Sequence, residues 1–380
     1  MDYKKKIITH RVVKIAAVAV GIIAFVMIGV VTYNHVASKT YESSQVIGEI
    51  SASQSMNASW AKLGDSILTY TQDGANCVSE KGSLIWNRAF ELQEPIIDIC
   101  GETVAITEYN GTVIYIMNSQ SELGEITTGM PIKNFCVSEN GVVAAVLEDG
   151  STTWIYLYDV TGTELVNFKT TMQDSGYPIE IDLSDDAKLL AVSFITINGI
   201  ELKSRVAFYN FGEVGQNKSD MLVSGYDYTE AIVPAIEFLQ NGSIVAIADN
   251  RLMIYEGTEI PLHTAETLIN EEIQSVAYSD EYIGLLFYSN DSSVKYNLSL
   301  YNTKASLVGN IQFDDYYSEI LIQDDQVIIY SENQLSIYRI DGQLIYEEQM
   351  GTQISKVLCT SKRNQFIIIY ETGMEIIELR

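Results

Sequence analysis

The segment from Pro131 to Phe168 constrains this chain most, because it divides into four short strand-like runs separated by turns and then recurs, in varied form, along the sequence. An apolar run from Pro131 to Ser138 turns at Glu139-Asn140-Gly141 and continues from Val142 to Leu147. A second turn at Glu148-Asp149-Gly150 leads to Trp154-Ile155-Tyr156-Leu157-Tyr158, and a third at Asp159 to Gly162 leads to a last run from Glu164 to Phe168. Gly and Asn in the turns supply the positive φ angles that tight connections need, so the pattern predicts four up-and-down antiparallel strands. A sheet of this kind repeated every 35 to 50 residues or so is the signature of a β-propeller.

The third strand of the repeat ends again and again in an aliphatic run, a Tyr and a polar residue: Tyr158-Asp159, Tyr209-Asn210, Tyr255-Glu256, Tyr301-Asn302 and Tyr338-Arg339. A ring there fills the wedge between neighbouring blades while its hydroxyl reaches the wet rim. Blades open at Ser59-Trp60, Pro95-Ile96, Pro131-Ile132, Tyr177-Pro178, Val233-Pro234, Ile273-Gln274, Tyr317-Ser318 and Gln353-Ile354. The expected fold is therefore all-β, a propeller of four-stranded blades over residues 57–380, eight in number, with seven as the alternative if one unit merges with its neighbour. The fourth unit is the least regular, through residues 195–224. The last has room for only three strands before Arg380, and the run over residues 45–51 supplies the missing outer one and closes the ring. Closure removes the exposed edges that an open sheet presents to other chains.

Ahead of the repeats, Ile15 to Thr32 contains no charged residue, and a bilayer takes about 17 to 25 such residues to cross. Lys4, Lys5, Lys6, Arg11 and Lys14 precede it and only Lys39 follows closely, so the positive-inside rule places residues 1–14 in the cytoplasm. The expected order is a basic tail (1–14), a signal-anchor transmembrane helix (15–33), a polar tether (34–56) that includes the closing strand, and an extracytoplasmic ring. A cleaved signal peptide is the rival reading, against which stand the length of the run and the absence of a small-x-small site in Tyr33 to Ser38.

Residues 1–39 carry six of the 23 Lys and Arg but one of the 50 Asp and Glu, which leaves 17 basic and 49 acidic residues beyond, a net of −32. Nucleic acid is thereby excluded as an expected partner, since binding phosphates takes clustered Lys and Arg. The acidic segments Asp182 to Asp186, Asp314-Asp315 and Asp324-Asp325 lack the alternation of oxygen ligands with Gly that a calcium loop shows, so no metal is assigned. Catalysis by a Ser-His-Asp or Cys-His set would have to use His263, expected on an outer strand or a connecting loop far from the central channel. Of Cys77, Cys100, Cys136 and Cys359, the last three fall at comparable places in their units, which predicts buried thiols on inner strands, too far apart to pair. No catalytic residue and no cofactor is expected.

Glu80 to Trp86, Asp159 to Leu165 and Arg339 to Ile345 carry a Gly-x-x-Leu/Ile turn that resembles quinoprotein-type propeller repeats, and the Tyr-polar pairs stand where a WD-repeat carries Trp-Asp. The tryptophan platform, vicinal disulfide and metal cage of the quinone-dependent enzymes have no counterpart, so that activity does not carry over. With the basic start, the single span and stretches such as Pro234 to Tyr255 and Glu272 to Val276, the chain resembles a family of uncharacterised, single-pass membrane-anchored propellers of Clostridia-like Firmicutes, assigned to a domain of unknown function. That likeness implies fold and topology and adds no chemistry. The functional expectation is a non-enzymatic scaffold at the cell surface that binds a protein or a cell-wall ligand. Its working surface is sought in the connections 195–204, 210–231 and 289–296, with Tyr226, Tyr228, Tyr316 and Tyr317 as aromatic anchors. The alternative is a hydrolase or lyase of wall polysaccharide, which would place an acidic pair about 5 to 10 Å apart at the channel. A sensor that passes a signal inward is a third.

Overall fold

A computed structural model describes residues 40–50 and 57–380, apart from 151, 173–174, 199–200 and 219, and four further positions at 21, 22, 24 and 27. Among the described residues thirty-two strands, β1 to β32, form eight separate four-stranded sheets, each antiparallel throughout. Seven blades are runs of four consecutive strands, spanning residues 59–89, 95–127, 132–170, 177–229, 235–268, 273–313 and 319–349. Blade 8 contains three strands, residues 354–379, and takes its outer strand from the beginning of the ring. There β1 (Ser44–Ile50) pairs with β32 (Gly373–Leu379), Ser44 opposite Leu379 and Ile50 opposite Met374. The ring is thus eight-bladed and closed by the strand expected at 45–51.

Burial follows position within the blade. The second strands are the most deeply buried, Ser243–Ala248 in blade 5 and Gln365–Tyr370 in blade 8 along their whole length, because neighbouring blades cover both faces. Continuous apolar runs such as Phe366 to Tyr370 are the sequence trace of that double cover. The outer strand Leu262–Leu268 alternates between exposed and half-buried residues, as a sheet edge with one wet face should. The apolar core is accordingly divided into eight clusters, one between each pair of neighbouring blades. Leu68, Cys77, Val104 and Ile106 join blades 1 and 2, and Ile50, Ile67, Val78, Ile367 and Ile369 join blade 8 to blade 1. A fully buried Leu or Ile contributes about 1.5–3 kcal/mol, so no single interface carries the fold and each is needed to keep the ring shut.

The repeated tyrosines lie at the ends of third strands, as expected. Phe168 of blade 3 stacks on Tyr209 of blade 4 at 4.6 Å, and Phe208 of blade 4 meets Tyr255 of blade 5 edge-on at 5.1 Å. Tyr255 departs from the expectation of a wet hydroxyl: it is wholly buried, and its oxygen bonds to that of Tyr228 at 2.6 Å. Outer-strand glycines permit blades to approach closely. A Cβ on Gly124 or Gly309 would lie 1.8 or 1.9 Å from the carbonyl oxygen of Val160 or Ile340 in the turn of the next blade.

The irregular fourth unit is a full blade with long strands. Leu189–Asn198 and Glu201–Asn210 pair over ten residues each, so 195–198 and 201–204 are strand rather than loop, and they extend past the strands that flank them. A one-turn helix, α1 (Glu213–Gln216), occupies the connection to Leu222–Thr229. Among the described residues no helix is long and apolar enough to cross a membrane. The uncharged run 15–32 lies outside the described residues except for Gly21, Ile22, Ala24 and Met27, which are helical. The expected tether falls outside them as well over 34–39 and 51–56.

Candidate functional site

The eight innermost strands surround a central channel. In chain order they are Ser59–Leu63, Pro95–Cys100, Ile132–Val137, Tyr177–Leu183, Ala235–Phe238, Ile273–Tyr278, Glu319–Gln323 and Ile354–Cys359. Each runs from the face that carries the connections between blades toward the face that carries its own first turn. Close to that second face a cavity of about 270 Å3 is lined by Asp98, Asp182 and Glu237, with Cys100, Glu139, Asp185, Tyr278 and Asp280 around them. A larger, more apolar space of about 780 Å3 adjoins it along Ile99 and Tyr278, and is walled by Trp60, Ile322, Leu358, Lys62 and Lys356 among others.

The channel is therefore polarised across its width. Blades 2 to 6 contribute carboxylates, whereas blades 1 and 8 contribute two ammonium groups. Both cations already have partners: Lys62 Nζ lies 2.6 Å from Glu80 and Lys356 Nζ 2.8 Å from Glu319. Among the described residues the three cavity carboxylates on inner strands, Asp98, Asp182 and Glu237, receive neutral donors, each from the following blade. Val137 N–H donates to Asp98 Oδ2 at 2.6 Å, Phe238 N–H to Asp182 Oδ2 at 2.5 Å, and Tyr278 O–H to Glu237 Oε2 at 3.1 Å. Asn134 Nδ2 of blade 3 donates to Glu180 Oε1 of blade 4 at 3.1 Å. One set of residues thus latches blades 2 to 6 together at the channel wall and concentrates negative charge there.

That charge is costly. Burial lifts Asp98 to about 6 against the pull of the N–H bonds from Val137 and Ile99. Glu237 rises to about 7, first through burial and then through the charge of Asp98. Asp182 is pushed well above the carboxylate range by burial and by Glu237 and Asp98 together, and Glu180 is raised by burial too. Near neutral pH the group holds fewer charges than carboxylates, and a cation brought among them would release the excess protons. Among the described residues no group of three or more His, Cys, Asp and Glu is arranged to hold a metal ion.

The four cysteines are free. Cys100, Cys136 and Cys359 lie on inner strands as expected, and Cys77 lies on the third strand of blade 1. Cys100 Sγ donates to Asp185 at 3.3 Å, and burial with adjacent carboxylates raises its pKa, which opposes a thiolate. His263 sits on the outer strand of blade 5, on the ring's outside.

The four tyrosines expected as anchors separate into two places. Tyr228 is 7% exposed with its hydroxyl on Tyr255, and Tyr226 is half-buried with its hydroxyl donated to the Pro261 carbonyl at 3.1 Å. Both rings are used in packing between blades 4 and 5, so Tyr228 presents no surface to a partner. Tyr317 packs edge-on against Tyr296 at 5.3 Å, whereas Tyr316 is 78% exposed with the Lys295 ammonium 3.6 Å over its ring. The acidic residues of the channel wall are not among the expected site residues, although Asp182 falls within one of the acidic segments. Their signal is a carboxylate between apolar neighbours on an inner strand: Ile97-Asp98-Ile99, Ile181-Asp182-Leu183 and Ile236-Glu237-Phe238.

A family model, described as a family of unknown function (DUF5711), matches residues 37–379. No curated protein matches the chain. Among solved structures the chain is similar to BamB from Moraxella catarrhalis, at 12% identity and a TM-score of 0.52, with 90% of this chain and 99% of that one covered. It is also similar to the computationally designed protein Ika8, at 12% identity and a TM-score of 0.55, with 88% and 99% covered. At these identities the likeness is one of fold.

Proposed function

This chain belongs to the DUF5711 family, whose function is unknown, and on the geometry of its ring we propose that it is a non-enzymatic binding scaffold, anchored in the membrane by residues 15–33 and displayed outside the cell. The observation that carries the binding part is the wall of partly buried carboxylates, Asp98, Asp182 and Glu237, that no cation among the described residues neutralises. A preformed concave site of one sign on a rigid scaffold suits a ligand of the other, here a basic side chain of a protein partner or an amine of a cell-wall component. The membrane part rests on the uncharged run and the basic residues before it.

The test is crosslinking and capture from native membranes with the full-length protein, beside a variant carrying Asp98→Asn, Asp182→Asn and Glu237→Gln. A partner held by the parent and lost from a correctly folded variant supports the reading. Equal capture by both removes the channel from it.

One observation favours a second reading. Asp98 at about 6 and Glu237 at about 7 are acids able to hold a proton near neutral pH, as the general acid of a polysaccharide hydrolase must. Their commitment to latching the blades weighs against it, and release of reducing ends from cell-wall glycans by the parent, abolished in the same variant, would establish it.

A further inference from the structure

We propose that the ring stands with its acidic channel mouth toward the bilayer and its opposite face away from it, an inference that rests on the membrane-anchored reading above. The direction of one strand carries it. Because β1 is antiparallel to β32, with Ser44 opposite the end of that strand and Ile50 opposite its beginning, the chain joins the ring at the face formed by the turns after the first and third strands of each blade. The acidic cavity opens at that same face, since Gly101, Glu139, Asp185 and Asp280 in its lining belong to first turns.

Attachment to the ring begins earlier than a tether ending at residue 56 would imply. The N–H of Tyr41 donates to the Ile345 carbonyl and that of Glu42 to the Arg380 carbonyl, both at 2.9 Å. Between Thr32, where the uncharged run ends, and Tyr41 there are eight residues, 33 to 40. Fully extended they reach at most about 27 Å. Strands of six or seven residues make the ring about 20 Å thick before its turns are added. The near face is therefore well within reach of the bilayer, whereas bringing the far face down would require the full length of these residues around the rim.

A second feature of the near face agrees. Outer strands begin there, and Leu84, Leu165, Leu262, Leu307 and Leu344, at or next to those beginnings, are 41 to 64% exposed around the rim. Exposed leucines suit the headgroup boundary of a bilayer better than open solvent. The acidic first turns oppose an anionic surface, so the covalent tether, and not affinity, fixes the orientation.

The far face then remains open. It carries the projecting strands of blade 4, together with the exposed rings of Tyr288 and Tyr316.

The experiment uses the full-length protein in phosphatidylcholine vesicles that contain an acceptor-labelled lipid. A donor dye is placed on Lys304→Cys, in the near-face turn of blade 6, or on Ser292→Cys, in the far-face turn of the same blade. Labelling of the parent, whose thiols are buried or half-buried, supplies the background. Flotation with the vesicles tests the anchor itself, and failure to float would remove the reading on which the orientation depends. Given flotation, energy transfer from position 304 is expected to exceed that from position 292 about twofold or more, because about 20 Å of strand separates the two faces. Equal transfer, or the reverse order, would overturn the orientation while leaving the anchor intact.

Discussion

Asp98 and Glu237 each serve two purposes that conflict. Their oxygens accept hydrogen bonds from the next blade, which favours the charged form, yet the channel wall withholds the water that would solvate that charge. Burial prevails in both. Because each folded pKa lies above its unfolded value of about 4, each group takes up a proton on folding. Its contribution to stability is complete below about pH 4 and is lost as the pH rises through about 6 for Asp98 and about 7 for Glu237. Chemical denaturation followed from about pH 4.5 to about pH 7.5 should show the parent losing stability over this window. The pair Asp98→Asn and Glu237→Gln should reduce that loss by on the order of 1–2 kcal/mol, after allowance for their partial exposure. An unchanged slope would mean that both carboxylates are effectively solvated. These residues were legible only in part: a carboxylate between two apolar neighbours is visible in the sequence, but its meeting with others from different blades is not.

At the scale of the element, β1 decides whether the molecule is a ring or an open spiral. It covers the outer edge of β32, places Ile50 in the cluster between blades 8 and 1, and lets Ser44 donate to Glu348 of blade 7 at 2.6 Å. Deleting residues 40–50 should expose an unpaired strand edge and loosen one of the eight interfaces. Association beyond the monomer on gel filtration and a lowered melting temperature are expected. A monomer with an unchanged melting temperature would show that closure does not depend on this strand. Its role was legible because a three-stranded last unit leaves a strand to be supplied and only 45–51 was free. The long strands of blade 4 look irregular in the sequence for a physical reason as well: they continue past the strands that flank them, and the continuous apolar run gives way to alternation as in Ile195-Thr196-Ile197 and Leu202-Lys203.

The whole molecule combines a segmented core with a large excess of one charge. From residue 40 onward the net charge is −32, which favours solubility and opposes compaction. Raising ionic strength from about 0.01 M to about 1 M shortens the screening length from about 30 Å to about 3 Å, so the melting temperature of the ring should rise with salt. A fall would place the dominant electrostatics in ion pairs such as Arg205 with Asp227, which are half-exposed and screened by the same salt.

What the sequence by itself determined was the repeat, and with it the four-stranded blade, the number of blades to within one, the closing strand and the aromatic wedges. These follow from local periodicity and turn chemistry, which recur in the linear order of residues. The tertiary structure decided what depends on bending the array into a circle. It brought Asp98, Asp182 and Glu237 from separate blades to one cavity, and it buried Tyr228 against Tyr255. It also set the face at which the chain joins the ring, because strand direction becomes a direction in space only once the sheets are arranged around an axis.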